Sequence, residues 1–410
     1  MPLKNMMRDG KFDFSLNAPG FDRDPFPVYS YMRAHEPVHW WGEGKAWIVT
    51  RYADVVQTLR DPRFSVEFRW YGPGDLRDEE LTPHNLLTKY GIFWMPDSEH
   101  NRLRSVMAPH FSAKAVGRTK RRLEDLARRI LSEAETLERY DIVQDFTLRY
   151  EAEAIALVLG IPGDRHKDFI RFASAILDAF YPTLDPDEFA ERTSFLPTGV
   201  QMVRELIREA RTNPREGLLS DLANAHGGGR PLTENELLSA VSLVISAGSE
   251  PTRHIIAFAI WNLLRHPDQL AVLRTEPGLL RNAIGEVGRF DGIGKLNFPR
   301  FPTEDLEIRG VRIGAGQPVY GVFTSAMRDP EVFVRADVFD IKRDLSRSLM
   351  WSVGLHNCMG RWIAQMAIEV AVSALLDRFS TFRCDGDPVY APDTFFRKMV
   401  SLPVVLQSGS

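Results

Sequence analysis

A ten-residue segment near the C-terminus, called here the cysteine loop, limits most strongly how this chain can fold. It reads Trp351-Ser-Val-Gly-Leu-His-Asn-Cys-Met-Gly360, and an apolar run typical of a helix follows it from Trp362 to Leu376. Glycine permits tight turns and close approach of the backbone to a neighbouring group. We therefore expect Gly354 and Gly360 to allow a tight turn and close approach to a flat cofactor. The pattern predicts a loop that presents Cys358 at the start of a buried helix.

Cys358 has two possible roles. Unpaired N–H groups and the dipole at a helix N-terminus favour a negative sulfur, which suits a thiolate that binds a metal ion. On haem iron, a thiolate pushes electron density toward the metal and favours O–O bond cleavage. The alternative is a buried structural cysteine, the commoner role of a single thiol. A disulfide with Cys384 is possible in principle, but a ligand role and a reducing compartment argue against it.

The pattern of Gly354, His356, Cys358 and Gly360 resembles the haem-binding loop of the cytochrome P450 family. The resemblance implies haem b, iron protoporphyrin IX, held by the Cys358 thiolate. The loop departs from the family pattern at Trp351, where Phe is usual. The indole ring keeps a flat apolar wall against the sulfur but adds an N–H donor.

The composition excludes several classes of protein. At 410 residues, 44% apolar and 26% charged, the chain is typical of a soluble globular protein with a large core. No Ser/Gly-rich or Pro-rich linker divides it, so we predict a single domain over residues 1–410. A net charge of −4 gives no reason to expect nucleic acid or a membrane as partner. Because the N-terminus lacks the apolar stretch of a signal peptide, we expect a cytoplasmic protein, and a monomer.

Hydrophobic periodicity predicts a helix-rich body with a small β part. Strand-like alternation occurs at 38–41, 46–50, 306–309, 311–313 and 319–322. Helical spacing occurs at 52–60, 115–137, 142–159, 165–180 and 195–212. Thr233-Glu-Asn-Glu236 fits a capping box that opens a long central helix, which we expect to end near His266, before Pro267. This order resembles the cytochrome P450 fold, mainly α with a long central helix and short β-sheets.

The middle of the central helix, Ala247-Gly-Ser-Glu-Pro-Thr252, resembles the oxygen-binding segment of the family, usually Ala-Gly-x-Asp/Glu-Thr-Thr. The resemblance implies that Ala247 and Gly248 line the oxygen site, with Gly248 removing side-chain bulk where dioxygen binds. It also implies that Glu250 is the acid of an acid and alcohol pair that conducts protons. The alcohol is missing, because Pro251 stands where the first Thr is usual.

Proline at position 251 has a structural consequence as well. It cannot donate a hydrogen bond and therefore frees the carbonyl of Ala247, so we expect a kink or a widened groove. Thr252 lies roughly 100° further round the helix and replaces the lost hydroxyl only if the helix is distorted. Three explanations stay open: Thr252 shifts into place, an ordered water or a substrate hydroxyl relays the proton, or the enzyme does not use ordinary oxygen activation.

The carboxylates of a buried porphyrin need cationic partners, because an unpaired buried charge is very costly. His100 and Arg104 lie one helical turn apart, and the arginine fork suits bidentate binding of a carboxylate. His-x-x-x-Arg is similar to the propionate-binding helix of the family, and Arg300 and His356 match further positions. The alternative is a basic surface face on the helix around residues 100–108.

Glu286 and Arg289 are spaced i, i+3 and can pair on one helix face. Read without the resemblance, they are an ordinary surface pair. In the resembled family, this Glu-x-x-Arg pair and an arginine matching Arg343 form a buried network behind the haem. The resemblance therefore implies that these three residues support the site without taking part in the chemistry.

Two groups of residues are predicted to line a substrate pocket. One lies on the haem-facing side of the central helix: Leu243, Ser246, Ala247 and Pro251. The other is implied by the resemblance: residues 64–95, Phe180, Leu296 to Phe298 and Phe395-Phe396. These segments are mainly apolar and aromatic, so we expect a small hydrophobic substrate. For each residue, core packing is the alternative.

Taken together, the resemblance implies a haem-dependent monooxygenase that hydroxylates or epoxidises a hydrophobic small molecule with O2. Electrons would come from NAD(P)H through a ferredoxin reductase and a ferredoxin, since the chain has no nucleotide-binding fingerprint of its own. Residues 89–93, 257–265 and 276–282 resemble polyketide-tailoring members such as the epothilone epoxidase, which indicates a secondary metabolite, of polyketide or macrolide type.

Two alternatives remain from the sequence. Pro251 motivates an enzyme that uses hydrogen peroxide directly, or that couples or rearranges its substrate. The other alternative is a haem-binding sensor without catalysis, against which the retained Glu250 argues.

Overall fold

The central helix spans Glu234–Arg265. Its capping box is present as predicted: the Thr233 hydroxyl accepts from the Glu236 N–H at 3.3 Å, and the Glu236 carboxylate accepts from the Thr233 N–H at 2.8 Å. These bonds satisfy two N–H groups that a helix start leaves open. The helix ends one residue before His266, because Pro267 begins the next helix.

The computed structural model describes residues 2–8, 10–67, 69, 77–133, 139–161, 165–179, 185–225, 230–393 and 395–408. The other α-helices of these residues are Pro2–Asn5, Phe26–His35, Tyr52–Arg60, Pro83–Lys89, Asp97–Met107, Ala113–Gly117, Lys120–Ser132, Leu148–Leu159, His166–Asp178, Pro186–Thr193, Leu196–Thr212, Leu218–Ala223, Pro267–Thr275, Leu280–Phe290, Phe323–Ala326 and Arg361–Arg378. Short 3-10 turns occupy Asp78–Glu80, Ile92–Trp94, Ala108–Phe111 and Pro277–Leu279, and a π-helix occupies Ile142–Thr147. In this described part, no helix is both long and apolar enough to cross a membrane.

The strands form small sheets around the helical body. Five pairs are antiparallel: Met7–Arg8 with Lys11–Phe12, Val38–Trp41 with Ala46–Val49, Phe64–Ser65 with Phe301–Pro302, Leu306–Ile308 with Val311–Ile313, and Val389–Ala391 with Lys398–Ser401. Pro403–Ser408 pairs with both Phe379–Cys384 and Tyr140–Asp141. The strand Val319–Gly321 pairs in parallel with Ala46–Val49, with Val319 opposite Trp47. This pairing joins the two halves of the chain. The strands after residue 378 were not predicted.

The central helix contributes to two separate apolar clusters. Leu237, Leu238 and Val241 belong to one cluster, which also contains residues of the N-terminal segment and Phe169. Further along, residues 255–260 belong to the other, which also contains residues of the helices Lys120–Ser132 and Arg361–Arg378. The predicted fold class is therefore confirmed: a mainly helical body with small sheets, in which one long helix runs through the core.

Candidate active site

The cysteine loop closes on itself as predicted. The Cys358 N–H donates to the Trp351 carbonyl at 2.9 Å, and the helix Arg361–Arg378 begins directly after Gly360. Gly354 has φ +80°, and a Cβ there would lie 2.6 Å from the carbonyl oxygen of Leu59. Both the left-handed backbone and the close packing therefore require glycine at this position.

Gly360 does not share that role. Its φ is −78°, which any residue adopts, and a Cβ there would have nothing within 4 Å. The expectation that Gly360 enables a tight turn is therefore wrong. That a flat cofactor approaches this residue stays a prediction.

Cys358 and Cys384 both carry free thiols. Burial raises the pKa of the Cys358 thiol, while the N–H groups of Gly360 and Arg361 and the charges of Arg104 and Arg361 oppose that rise. The helix start thus supplies the predicted stabilisation of a thiolate, but burial outweighs it in the protein alone. A bound metal ion removes the proton from a coordinating thiol outright.

The helix Asp97–Met107 places both predicted residues against the cysteine loop. Arg104 Nη1 donates to the Asn357 carbonyl at 3.0 Å, and Nη2 donates to Asn357 Oδ1. The His100 ring is 2% exposed and lies 4.2 Å from the His356 ring, measured between centroids. The alternative of a basic surface face on this helix is therefore wrong for His100 and Arg104.

Three buried nitrogens around the cysteine loop lack hydrogen-bond partners among the described residues. They are His100 Nε2, His356 Nδ1 and Arg300 Nη1. Burial lowers the pKa of Arg300 to about 10 and, with the charge of Arg300 nearby, that of His356 to about 2. Buried polar groups in native proteins are normally paired, so this set calls for an anionic partner.

Two of these residues, Arg300 and His356, line one cavity. Its lining combines apolar and aromatic side chains with the unpartnered cation: Thr58, Leu59, Phe93, Asn297, Phe298, Arg300, Gly321, Phe323, Ser352 and His356. The Phe93 ring lies 5.1 Å from the Arg300 guanidinium and 5.3 Å from the His356 ring. Ser352 and His356 of the cysteine loop thus contribute to the lining, together with aromatic side chains from distant segments.

Glu286, Arg289 and Arg343 form the predicted buried network. Arg289 and Glu286 make two hydrogen bonds, of 2.7 and 2.8 Å, and both side chains have no exposed surface. Arg343 Nε donates to Glu286 Oε1 at 3.2 Å. The Arg289 guanidinium also donates to the carbonyls of Met327 and Ala336 at 3.0 and 2.8 Å. The network therefore fastens the segment that leads to the cysteine loop, and the alternative of a surface pair is wrong.

Gly248 packs closely against a neighbouring helix. A Cβ at this position would lie 2.6 Å from Ile155 Cδ1, on the helix Leu148–Leu159. The space beside the Gly248 Cα is thus filled by Ile155. That this glycine also leaves room for dioxygen stays a prediction.

Glu250 is buried and doubly paired. Its Oε1 lies 2.8 Å from Arg253 Nη2, one turn along the helix, and 3.3 Å from Lys398 Nζ on the strand Lys398–Ser401. Lys398 also lies 3.9 Å from Asp393. The i, i+3 spacing of Glu250 and Arg253 is visible in the sequence, whereas Lys398 and Asp393 carry no sequence signal that would link them to this site.

The structure keeps the central helix continuous across Pro251, so the expected kink stays a prediction. Thr252 is buried. Ser249, within the segment, donates to the Ile245 carbonyl at 2.6 Å, and Ser246, directly before it, donates to the Ser242 carbonyl at 3.1 Å.

The predicted substrate-lining residues lie in different places. Phe298 lines the cavity and lies 5.1 Å from both the Phe93 and the Phe395 rings. Leu296 is buried, while Leu243 and Phe396 are partly buried against the first apolar cluster. Phe180 lies outside the described residues.

Comparison with known proteins agrees with this geometry. A model of the cytochrome P450 family matches residues 73–406. Epothilone C/D epoxidase of Sorangium cellulosum is 35% identical over 97% of this chain and 96% of its own length. The monooxygenase PikC of Streptomyces venezuelae is 31% identical over 95% and 92%. A crystal structure of epothilone D-bound cytochrome P450 superposes with a TM-score of 0.91, at 34% identity over 97% of this chain and 100% of its own. The chain therefore belongs to the cytochrome P450 family of haem monooxygenases.

Proposed function

We propose that this chain hydroxylates or epoxidises a hydrophobic secondary metabolite of polyketide or macrolide type. The observation that carries the proposal is the aromatic cluster around Phe298: Phe93 lines the cavity with it, and Phe395 packs against it. Similarity to an epothilone epoxidase and to PikC, over nearly the full length of the chain, also supports the proposal. An apolar pocket with few polar groups binds a ligand mainly by burying its surface.

The residues around the cysteine loop fit a haem group. The unpartnered His100, Arg300 and His356 nitrogens are the donors that the two haem carboxylates need. A carboxylate beside His100 Nε2 or His356 Nδ1 would favour the cationic form of the ring. Cys358 would bind the iron, and the bound haem supplies the oxygen activation.

The remaining residues have separate functions in this proposal. Arg104 holds the backbone on the N-terminal side of Cys358 through Asn357. Phe93 and Phe298 exclude water and orient the substrate. Glu250, held between Arg253 and Lys398, stands at the start of the proton path. Electrons come from NAD(P)H through a ferredoxin reductase and a ferredoxin.

A substrate screen tests this proposal. Purified holoenzyme is titrated with macrolides, other polyketides, fatty acids and steroids, and shifts of the haem absorption band are recorded. Binders are then incubated with NAD(P)H, a ferredoxin and its reductase, and products are identified by mass. We expect polyketide-type ligands to shift the spectrum and to gain one oxygen atom. A screen in which only fatty acids or steroids bind and react would contradict the substrate class.

Pro251 favours a second candidate, an enzyme that uses hydrogen peroxide directly. The usual alcohol helps to deliver protons while dioxygen is reduced. Hydrogen peroxide supplies oxygen that is already reduced, so an enzyme that uses it can lack this alcohol. Product formed with the reductase system is compared with product formed with peroxide at equal enzyme concentration. Efficient turnover with peroxide alone would establish this candidate in place of the reductase-dependent one.

A further inference from the structure

A short polar stretch of the central helix interrupts its apolar packing. The residues before it belong to the first apolar cluster and those after it, from Ile255, to the second. Between them, Ser249, Glu250, Arg253 and His254 are all buried. Burial of polar groups is unfavourable unless they find partners, so packing alone does not account for these residues.

His254 is the most unusual member of this stretch. Its side chain is buried, with 1% of the residue exposed, and neither ring nitrogen has a hydrogen-bond partner within the described residues. Arg253 Nε is unpartnered in the same way. A buried atom of this kind lowers the stability of the fold if it stays unpaired. Native proteins satisfy groups of this kind with ordered internal water, and we infer such water beside His254.

The position of His254 connects it to the oxygen-binding segment. Ala247, Pro251 and His254 are spaced i, i+4 and i+7, so they share one face of the helix. The Ala247 carbonyl has no helical N–H partner, because Pro251 has no N–H. An internal water on this face therefore has an acceptor at Ala247 and both a donor and an acceptor on the imidazole.

Two cationic residues and one aromatic ring lie in the surroundings of His254. Lys398 and Arg253 both act electrostatically on the ring, and both are paired with Glu250. The Phe396 ring lies 6.4 Å from the His254 ring. Burial, together with these two cations, keeps the pKa of His254 well below its usual value. The ring is therefore neutral, with one donor and one acceptor nitrogen.

We propose that His254 positions the water that carries protons to the face of the central helix formed by Ala247 and Pro251, in place of the missing alcohol. This inference rests on the proposed monooxygenase function, in which one oxygen atom leaves as water and protons must be supplied. The ring N–H donates to this water, and the ring itself stays neutral. The water gives one proton toward that face and takes one from the next internal water, so that one proton has moved and the bound water is restored.

The test compares His254→Leu and His254→Gln with wild type as holoenzymes. Leucine removes both hydrogen-bonding atoms, whereas the glutamine amide keeps a donor and an acceptor. We expect His254→Leu to lower product per NAD(P)H about tenfold or more, to release the difference as peroxide and to change the solvent isotope effect. His254→Gln should retain most of the coupling. The double variant Pro251→Thr/His254→Leu should regain coupling, because threonine restores the alcohol.

Two readouts do not depend on turnover. A crystal structure of wild type should show a water within hydrogen-bond distance of His254, and His254→Leu should lack it. The infrared stretch of carbon monoxide on the reduced enzyme should move in His254→Leu and less in His254→Gln. If NAD(P)H and the redox partners give no product with wild type or any variant, the proposed function is wrong. The crystal structure and the infrared spectrum still show in that case whether water lies beside His254. The inference would be overturned if His254→Leu formed as much product per NAD(P)H as wild type. It would also be overturned if the wild-type crystal structure showed no water within hydrogen-bond distance of His254.

Discussion

Arg104 donates to Asn357 through both terminal nitrogens, to the carbonyl at 3.0 Å and to the side-chain Oδ1. Asn357 directly precedes Cys358, so one guanidinium holds the backbone that positions the sulfur. Arg104 also donates weakly to the Leu355 carbonyl at 3.4 Å. A residue predicted to bind a haem carboxylate thus holds the cysteine loop as well.

Arg104→Ala should weaken the loop, because hydrogen bonds from a charged donor contribute about 1.5–3 kcal/mol each. We expect faster conversion of the thiolate-type reduced carbon monoxide spectrum to the inactive type. Arg104→Lys should be intermediate, since lysine keeps the charge but loses the planar fork. The rate of this spectral conversion is measured at a fixed temperature for wild type and both variants. An unchanged rate in Arg104→Ala would contradict the claim that Arg104 holds the cysteine loop.

Gly354→Ala should destabilise the protein, because the left-handed backbone and the Leu59 carbonyl at 2.6 Å both exclude a side chain. Left-handed backbone at a non-glycine residue costs roughly 1–3 kcal/mol, so thermal unfolding should occur several degrees lower. Gly117→Ala is the matched control, because it has ordinary helical backbone and nothing within 4 Å of the added Cβ. Equal unfolding temperatures for the two variants would show that the turn does not need glycine.

The buried Glu151 should make stability depend on pH. Burial raises its pKa from 4.5 to about 7, and Arg253 and the Ser249 hydroxyl only partly oppose this rise. Because the folded state holds the proton more tightly than the unfolded state, the stability that it contributes is full below pH 4.5 and is lost as the pH rises through about 7. Glu151→Gln cannot ionise, so its stability relative to wild type should increase with pH.

The difference in unfolding free energy should grow by up to roughly 3 kcal/mol between pH 5 and pH 9. Denaturant unfolding of both holoenzymes across this range measures it. Glu153→Gln, on the same helix but paired with the exposed Arg129, is the matched control. A difference that stays constant or shrinks as the pH rises would show that Glu151 is not held in its protonated form.

Removal of the Glu286 charge should prevent stable haem incorporation. Breaking a buried ion pair by loss of one partner costs about 3–5 kcal/mol, and Glu286 also accepts the Asp340 N–H at 3.0 Å. We expect Glu286→Gln to yield little holoenzyme, measured as haem per protein. The exposed pair of Arg281 and Glu369 is a suitable control, because Arg281→Gln should leave haem content unchanged. Full haem loading of Glu286→Gln would contradict the supporting role.

Several predictions that depend on a local signal are confirmed, although the one for the turn at Gly360 is not. The capping box at Thr233, the turn at Gly354 and the i, i+4 pair of His100 and Arg104 each depend on residues close in the chain, and each is present. The sequence did not reveal contacts that are decided by packing across the fold. Gly248 accommodates Ile155, and Glu250 pairs with Lys398 from a strand that was not predicted. Hydrophobic periodicity does not report which distant segments meet.

The central claim is that Cys358 provides a thiolate ligand to haem iron. The absorption spectrum of the reduced carbon monoxide complex tests it most directly, on wild type, Cys358→Ser and Cys384→Ser. We predict a thiolate-type band for wild type and Cys384→Ser and its complete loss in Cys358→Ser. A wild-type spectrum of the histidine-ligated type, or a thiolate band that survives in Cys358→Ser, would contradict the claim.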